Sequence, residues 1–477
     1  MVDKRISLLF YLAILIGSGL AAWGIAIYGD NAFGIRGVAT PIATTSAVSF
    51  FASLSGALSQ PLPVLLIQVI VTILAARLVG FILKPIRQPN VIHEIIAGIL
   101  LGPSLLGSVW PSAEAFLFPS SSLSELHMFS MLGLILFMFV VGMELDPKLL
   151  RNKGHTAVIV SHVSIVFPFL LGMLLALYLY GEFAPNGVSF LSFALFMGVA
   201  MSITAFPVLA RIIQDAGLTK TPLGVLALTC AAADDVTAWC LLAFVVAIVK
   251  SASIASAVFT VIASIIFVAC MLFFVRPTLQ RLKDCWSPDR NVSRAFVTAA
   301  LIVLALSALL GELIGIHALF GAFVAGVAIP TSGNVRAQLM EKLEDVSLLF
   351  LLPLFFAFTG LRTQLALVDS SHAWIVCAGI IVTASVGKIG GAVFAARITK
   401  LPWTESLALG VLMNTRGLME LVVLNIGYDL GILSPSIFSM LVLMALVTTF
   451  LTGPLLAALR RDDALFAPVP ANARSVG

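Results

Sequence analysis

Charge is what this sequence has least of. Only 10% of its 477 residues are Asp, Glu, Lys or Arg, where an ordinary soluble domain carries about 25%. That deficit excludes a soluble enzyme, a disordered chain and a fibrous protein. The formal net charge is +4 and the basic residues form no long run, which excludes a nucleic-acid binder. There are 5 Cys, an odd number without any CxxC spacing, so no disulfide framework is expected. The 6 His show no metal-ligand spacing, so neither a metal site nor any other cofactor is expected. What is present is apolar: 60% of the chain is hydrophobic. The sequence reads as an all-α polytopic membrane protein embedded in a lipid bilayer.

A membrane span needs about 20 apolar residues. There are fourteen candidates: 6–28, 61–84, 91–109, 123–145, 156–180, 188–213, 222–249, 252–275, 295–314, 316–330, 346–364, 371–397, 403–428 and 435–459, of which the tenth is short and reads as part of a broken pair. The first follows Lys4 and Arg5 and reads either as a retained extra helix or as a signal peptide, so 13–14 transmembrane helices are expected. Residues 1–60 thus comprise that segment and an outer linker (29–60), 61–460 the transmembrane domain, and 461–477 a short cytoplasmic tail. With the N-terminus in the cytoplasm, 21 of the 27 Lys and Arg fall in cytoplasmic segments. That is the asymmetry expected of a correctly counted chain with a cytoplasmic C-terminus.

Against this apolar background a few charges stand out. A charged residue at the centre of a spanning helix costs about 2.5–3.5 kcal/mol on the insertion scale, and such residues usually mark an ion path. Asp234 and Asp235 are the 13th and 14th residues of the interval 222–249. Neighbours on a helix point about 100° apart, so each carboxylate needs its own partner. A group that must hold either a proton or a hard monovalent cation is the smallest device for exchange. Lys388 lies about four residues, roughly 6 Å, past the centre of 371–397, and its natural counter-ion is one of the two aspartates. A buried pair that merely locks two helices is the plainer reading of the same residues.

Two intervals carry breaks. In 188–213 the stretch Ser202-Ile203-Thr204-Ala205-Phe206-Pro207 holds a proline expected to kink the helix. In 403–428 the stretch Met413-Asn414-Thr415-Arg416-Gly417-Leu418-Met419-Glu420 puts polar groups where apolar ones belong. Arg416 and Glu420 are four apart and can pair on one face. The fifth to seventh intervals read plain helix, broken helix, Asp pair. The twelfth to fourteenth read Lys helix, broken helix, plain helix. A displacement of seven spans inverts the second triplet in the membrane, the arrangement of secondary transporters with a central site. His93, Glu94, Glu144, Glu312 and His317 read as structural.

The stretches QPNVIHEIIAGILLGPSLLG, LFMFVVGMELD, SITAFPVLARI with the Asp pair, IGIHALFGAFVAG, FLLPLFFAFTGLRTQL and GVLMNTRGLMELVVLNIGYDLGI resemble the cation/proton antiporter superfamily, in its second monovalent-cation branch. The resemblance covers roughly residues 61–459. The last stretch is similar to the plant and fungal K+/H+ exchangers; the Asp pair resembles that of bacterial electrogenic Na+/H+ antiporters. His93 stands where the family pattern has Gly. The resemblance implies two crossed discontinuous helices. It makes Asp235 the alternating proton and cation ligand, Asp234 its partner carboxylate paired with Lys388, and Thr204 a further part of the site. Asn414, Arg416 and Glu420 would support the crossing. It implies a homodimer in which core helices within 156–249 and 371–459 slide against dimerisation helices. No nucleotide-binding domain like that of potassium-efflux relatives is expected. The expected activity is electrogenic exchange of Na+ or Li+ for H+ by alternating access in a bacterial inner (plasma) membrane, with K+/H+ exchange as the alternative and a passive cation channel as a third reading.

Overall fold

The computed structural model describes residues 60–84, 89–144, 154–219, 221–250, 254–286, 293–330 and 335–459. The expected first span, nearly all of the linker and the short tail lie outside the described residues. From Val64 onward these residues belong to one compact unit. Among them every regular element is a helix.

The helices are α1 (Pro61–Leu83), α2 (Asn90–Leu101), α3 (Leu123–Glu144), α4 (Gly154–Phe183), α5 (Phe190–Ser202), α6 (Phe206–Asp215), α7 (Pro222–Lys250) and α8 (Ile254–Cys270). Then come α9 (Arg276–Trp286), α10 (Arg294–Ile314), α11 (Ala318–Ala328), α12 (Val335–Val346), α13 (Leu352–Arg362), α14 (Ser371–Ile398), α15 (Trp403–Met413), α16 (Leu418–Asp429) and α17 (Pro435–Leu459). Single π-helical turns, Met271–Val275 and Ser347–Leu351, carry α8 into α9 and α12 into α13. Among the described residues, eleven continuous or nearly continuous runs are long and apolar enough to cross a membrane. The short α11 and the interrupted α15–α16 supply the rest, so each of the thirteen intervals expected between 61 and 459 has its helix.

Local chemistry sets many of the ends. Ser189, Ser293 and Ser370 cap α5, α10 and α14 by accepting from the amides of Ser192, Phe296 and Ala373. Gly315 closes α10 at φ 97°, a left-handed conformation that glycine adopts without strain. The apolar residues then sort by direction. On α1, Leu62, Leu66, Ile70, Leu74, Leu78 and Ile82 recur every fourth residue and all are more than half exposed. Such a stripe suits hydrocarbon, not water. The charged residues do the reverse: Asp234, Lys388, Arg416 and Glu420 are each fully buried.

Two sets of helices pack mainly among themselves. One contains α4–α7 and α14–α17, with α14 lying along α4 and α4 against α5 and α7. The other contains α2, α3 and α10–α13, with α3 against α11 and α13. The α3–α11 contact is glycine-to-glycine: a methyl group on Gly142 would strike the Phe323 carbonyl, and one on Gly326 the Phe139 carbonyl. Close backbone approach of this kind lets dispersion hold helices together where lipid offers no hydrophobic drive.

Two details differ from the sequence reading. Pro207 does not kink a continuous helix. α5 stops at Ser202, Ile203 and Ala205 are extended, and α6 restarts at Phe206 with Pro207 in its first turn. There a proline sacrifices no intrahelical bond. The helices read as plain are not plain either: α4 contains Pro168 and α17 contains Pro454.

Candidate functional site

The two breaks cross each other. The Ala205 amide donates to the Thr415 carbonyl at 3.1 Å, and the Thr204 hydroxyl lies 2.9 Å from the Met413 carbonyl. Each break leaves half-helix ends inside the protein, where the last carbonyls and first amides have no intrahelical partner. The structure fills the C-terminal end of α5 with two cations. Arg416 donates from Nη1 to Ala200 O at 3.0 Å and from Nη2 to Met201 O at 2.6 Å. Lys388 Nζ donates to Ser202 O. A helix C-terminus carries about half a negative charge, so both cations sit where the dipole favours them. Glu420 balances Arg416 through a 2.7 Å bond to Nη1. Thr449 Oγ1 accepts from the Arg416 amide at 3.1 Å and anchors the break to α17.

The two aspartates separate as neighbours on a helix must. Asp234 points at the cations: its Oδ2 accepts from Lys388 Nζ at 2.9 Å and from Thr204 Oγ1 at 2.9 Å. The Ser164 hydroxyl lies 3.2 Å from the same oxygen, with Ser161 O, at 2.8 Å, competing for its single proton. Asp235 points elsewhere. Both its oxygens are buried without a hydrogen bond, and they lie beside the Phe206 amide that opens α6. A helix N-terminus carries the opposite half charge and favours an anion. The Asn414 side-chain carbonyl, in the other break, is likewise buried and unpartnered.

The geometry thus gathers Thr204, Asp234 and Lys388 into one bonded cluster, with Arg416 and Glu420 clamping the crossing beside it. Chemically this is one neutralised carboxylate and one unsatisfied carboxylate at the meeting point of two half-helices. Such a place can accept a proton or a desolvated cation at Asp235 without dismantling its surroundings.

Residues 69–461 match the family described as sodium/hydrogen exchanger, transmembrane. The chain belongs to the sodium/hydrogen exchanger family. It is 46% identical over 398 residues to Na(+)/H(+) antiporter NhaS4 of Synechocystis sp., covering 83% of this chain and 97% of that one. It is 35% identical over 409 residues to K(+)/H(+) antiporter 1 of Saccharomyces cerevisiae, covering 83% of this chain and 48% of the yeast one. The chain spans about half the length of the yeast and plant relatives it matches. Among solved structures, the sodium proton antiporter MjNhaP1 of Methanocaldococcus jannaschii superposes with a TM-score of 0.62 at 15% identity. That match covers 84% of this chain and 100% of that one, and it shows a shared fold. These relatives are transporters, and this exchanger-family chain is an integral membrane protein.

Several residues of the cluster carry no signal in the sequence. Ser202, Ser164 and Thr449 contribute a carbonyl, a carbonyl with a hydroxyl, and a hydroxyl. Carbonyl ligands leave no trace in residue type, and a buried Ser or Thr in a membrane helix is unremarkable. Of the residues read as structural, Glu144 lies within electrostatic reach of Asp235 and His93 is buried with its Nε2 unpartnered. Glu312 accepts from Lys250 at 3.3 Å and from the Ala318 amide at 3.0 Å, His317 opens α11, His93 packs against Gly80, and Glu144 ends α3 exposed.

Proposed function

We propose that this protein is a secondary active transporter that exchanges Na+ or Li+ for protons by alternating access, with movement of net charge. The observation that carries the reading is Asp235: a midspan carboxylate with no hydrogen-bond partner, next to a carboxylate already neutralised by Lys388. Its oxygens hold a proton in one half of the cycle and a hard monovalent cation in the other. Thr204 and Asp234 complete the binding site, and Asn414 offers a further oxygen. Lys388 is the charge partner that releases or regains Asp234 as the site changes state. Arg416, Glu420 and Asn414 keep the crossing intact while α4–α7 and α14–α17 move against the other helices, which form the dimer contact of a homodimer. Two titratable groups at one site support more than one proton per cation, and the membrane potential then contributes about 2.3 kcal/mol per charge per 100 mV. The resident membrane is a bacterial plasma membrane with the C-terminus in the cytoplasm, in keeping with the cyanobacterial relative and the Lys and Arg distribution.

K+/H+ exchange is the second reading. It is favoured by the yeast K(+)/H(+) antiporter 1 among the relatives and by the stretch Met413–Glu420. Carboxylates alone do not separate Na+ from K+ by size. A passive channel fits poorly, because a buried lysine in the ion path repels cations.

The test is proton flux in proteoliposomes carrying a pH gradient, with Na+, Li+ or K+ added and the potential clamped or free. Potential-dependent dissipation by Na+ or Li+ is expected. Dissipation by K+ alone moves the protein to the second reading. Cation leak without proton coupling defeats both. Asp235→Asn should abolish exchange in a protein that still folds, and normal exchange by that variant would sink the assignment.

A further inference from the structure

Pro168 stands fifteenth of the thirty residues of α4, in the middle of the helix. A proline there has no N–H for the carbonyl four residues earlier, which is the carbonyl of Ser164. An unsatisfied carbonyl within a membrane is costly, so it must find another donor. It finds one across the interface, where Lys388 Nζ donates to Ser164 O at 3.0 Å. The other two acceptors of the same ammonium are Ser202 O and Asp234 Oδ2. An ammonium has three N–H donors and no acceptor, so these three oxygens satisfy it completely. One is a carboxylate and one is a helix-end carbonyl. The third is a mid-helix carbonyl, open because residue 168 is proline.

The packing reaches the same point independently. Gly387, the residue before the lysine, lies against the proline: a methyl group there would come within 3.0 Å of Pro168 Cα and Cβ. One turn on, a methyl group at Gly391 would come within 3.0 Å of Phe167 Cβ. α14 therefore packs tightly on α4 where the carbonyl has been freed. Lys388 then reaches Ser164 without leaving Asp234.

We propose that Pro168 is a positioning residue for the exchange site. By emptying the Ser164 carbonyl it supplies the third acceptor of the Lys388 ammonium and fixes that ammonium against Asp234. The inference deepens the exchange reading, and only its transport readout rests on that reading. A bend in α4 is the competing role for the same proline, and it makes no reference to Lys388. The titratable and charged groups that act on the ammonium are Asp234, Asp235 and Cys230 from α7, with Arg416 and Glu420 from the second break.

The experiment is Pro168→Ala in two backgrounds: the natural chain, and Asp234→Asn with Lys388→Met, which removes both charges together. Alanine keeps Cα and Cβ, the atoms Gly387 touches, and restores the N–H. In the natural chain it should lower the melting temperature by several degrees and displace the pH profile of exchange by half a unit or more. In the charge-free background the same substitution should leave the melting temperature unchanged or raise it, because the helix gains a hydrogen bond and no ammonium is deprived. A variant that folds only in the charge-free background supports the proposal equally. Equal loss in both backgrounds, or failure to fold in both, overturns the proposal and leaves the bend. The melting comparison requires no transport, so a failure of the exchange reading leaves it intact.

Discussion

Asp234→Asn and Asp235→Asn are the same chemical change at adjacent positions, and the structure demands opposite effects on stability. Asp234 is fully buried and neutralises a fully buried lysine at 2.9 Å. Removing its charge leaves the Lys388 ammonium in the protein interior with carbonyls alone. Breaking one side of a buried ion pair costs about 3–5 kcal/mol. At about 2–4 °C per kcal/mol, the rate for a sizeable domain, the melting temperature should fall by roughly 10 °C. Asp235 has no such obligation. Its oxygens make no hydrogen bond, and an unsatisfied buried group costs about 1–3 kcal/mol. Asparagine removes the charge and adds donors, so Asp235→Asn should melt at or above the parent. A third variant completes the set. Asp234→Asn with Lys388→Met removes the pair as a unit, which is often neutral, and should recover most of the loss. The assay is thermal unfolding of purified protein in detergent. Equal shifts of the same sign for both single variants would refute the assignment of separate partners to the two carboxylates.

Arg416→Ala should cost about 3–5 kcal/mol, because it strands Glu420 and uncaps two carbonyls of α5; Glu420→Gln, which keeps an acceptor, should cost less than half as much in the same melt. Thr204→Val removes a donor to a charged oxygen, worth about 1.5–3 kcal/mol, and should also weaken the apparent cation affinity measured by flux. Gly142→Ala drives a methyl into the Phe323 carbonyl and should cost about 1–3 kcal/mol. With Gly326→Ala added the loss should be less than additive, since both report one contact.

Much of the fold is legible in the sequence because a bilayer allows few backbone solutions. Apolar length alone locates a helix in every interval from 61 to 459, and the midspan charges locate the cluster. Breaks are harder. Pro207 points to the right place for the wrong reason, since a proline in the first turn of α6 marks a beginning. Pro168 is the opposite case: a lone proline in a membrane helix is tolerated and draws no attention, although its helix faces Lys388. The pairing of Arg416 with Glu420 follows from their spacing of four. The destination of the guanidinium, the carbonyls of α5, does not, because backbone acceptors have no letter in a sequence.

The five charged residues buried among the described residues also have a sum. Lys388 and Asp234 cancel, as do Arg416 and Glu420. Asp235, when ionised, leaves this set with a single negative charge. One proton brings that to zero, and so does one alkali ion. A calcium or magnesium ion would leave a positive charge stranded far from water, at the penalty that governs any uncompensated buried ion. Valence can therefore be discriminated by arithmetic before size is consulted, and the arithmetic depends on every member of both pairs remaining in place.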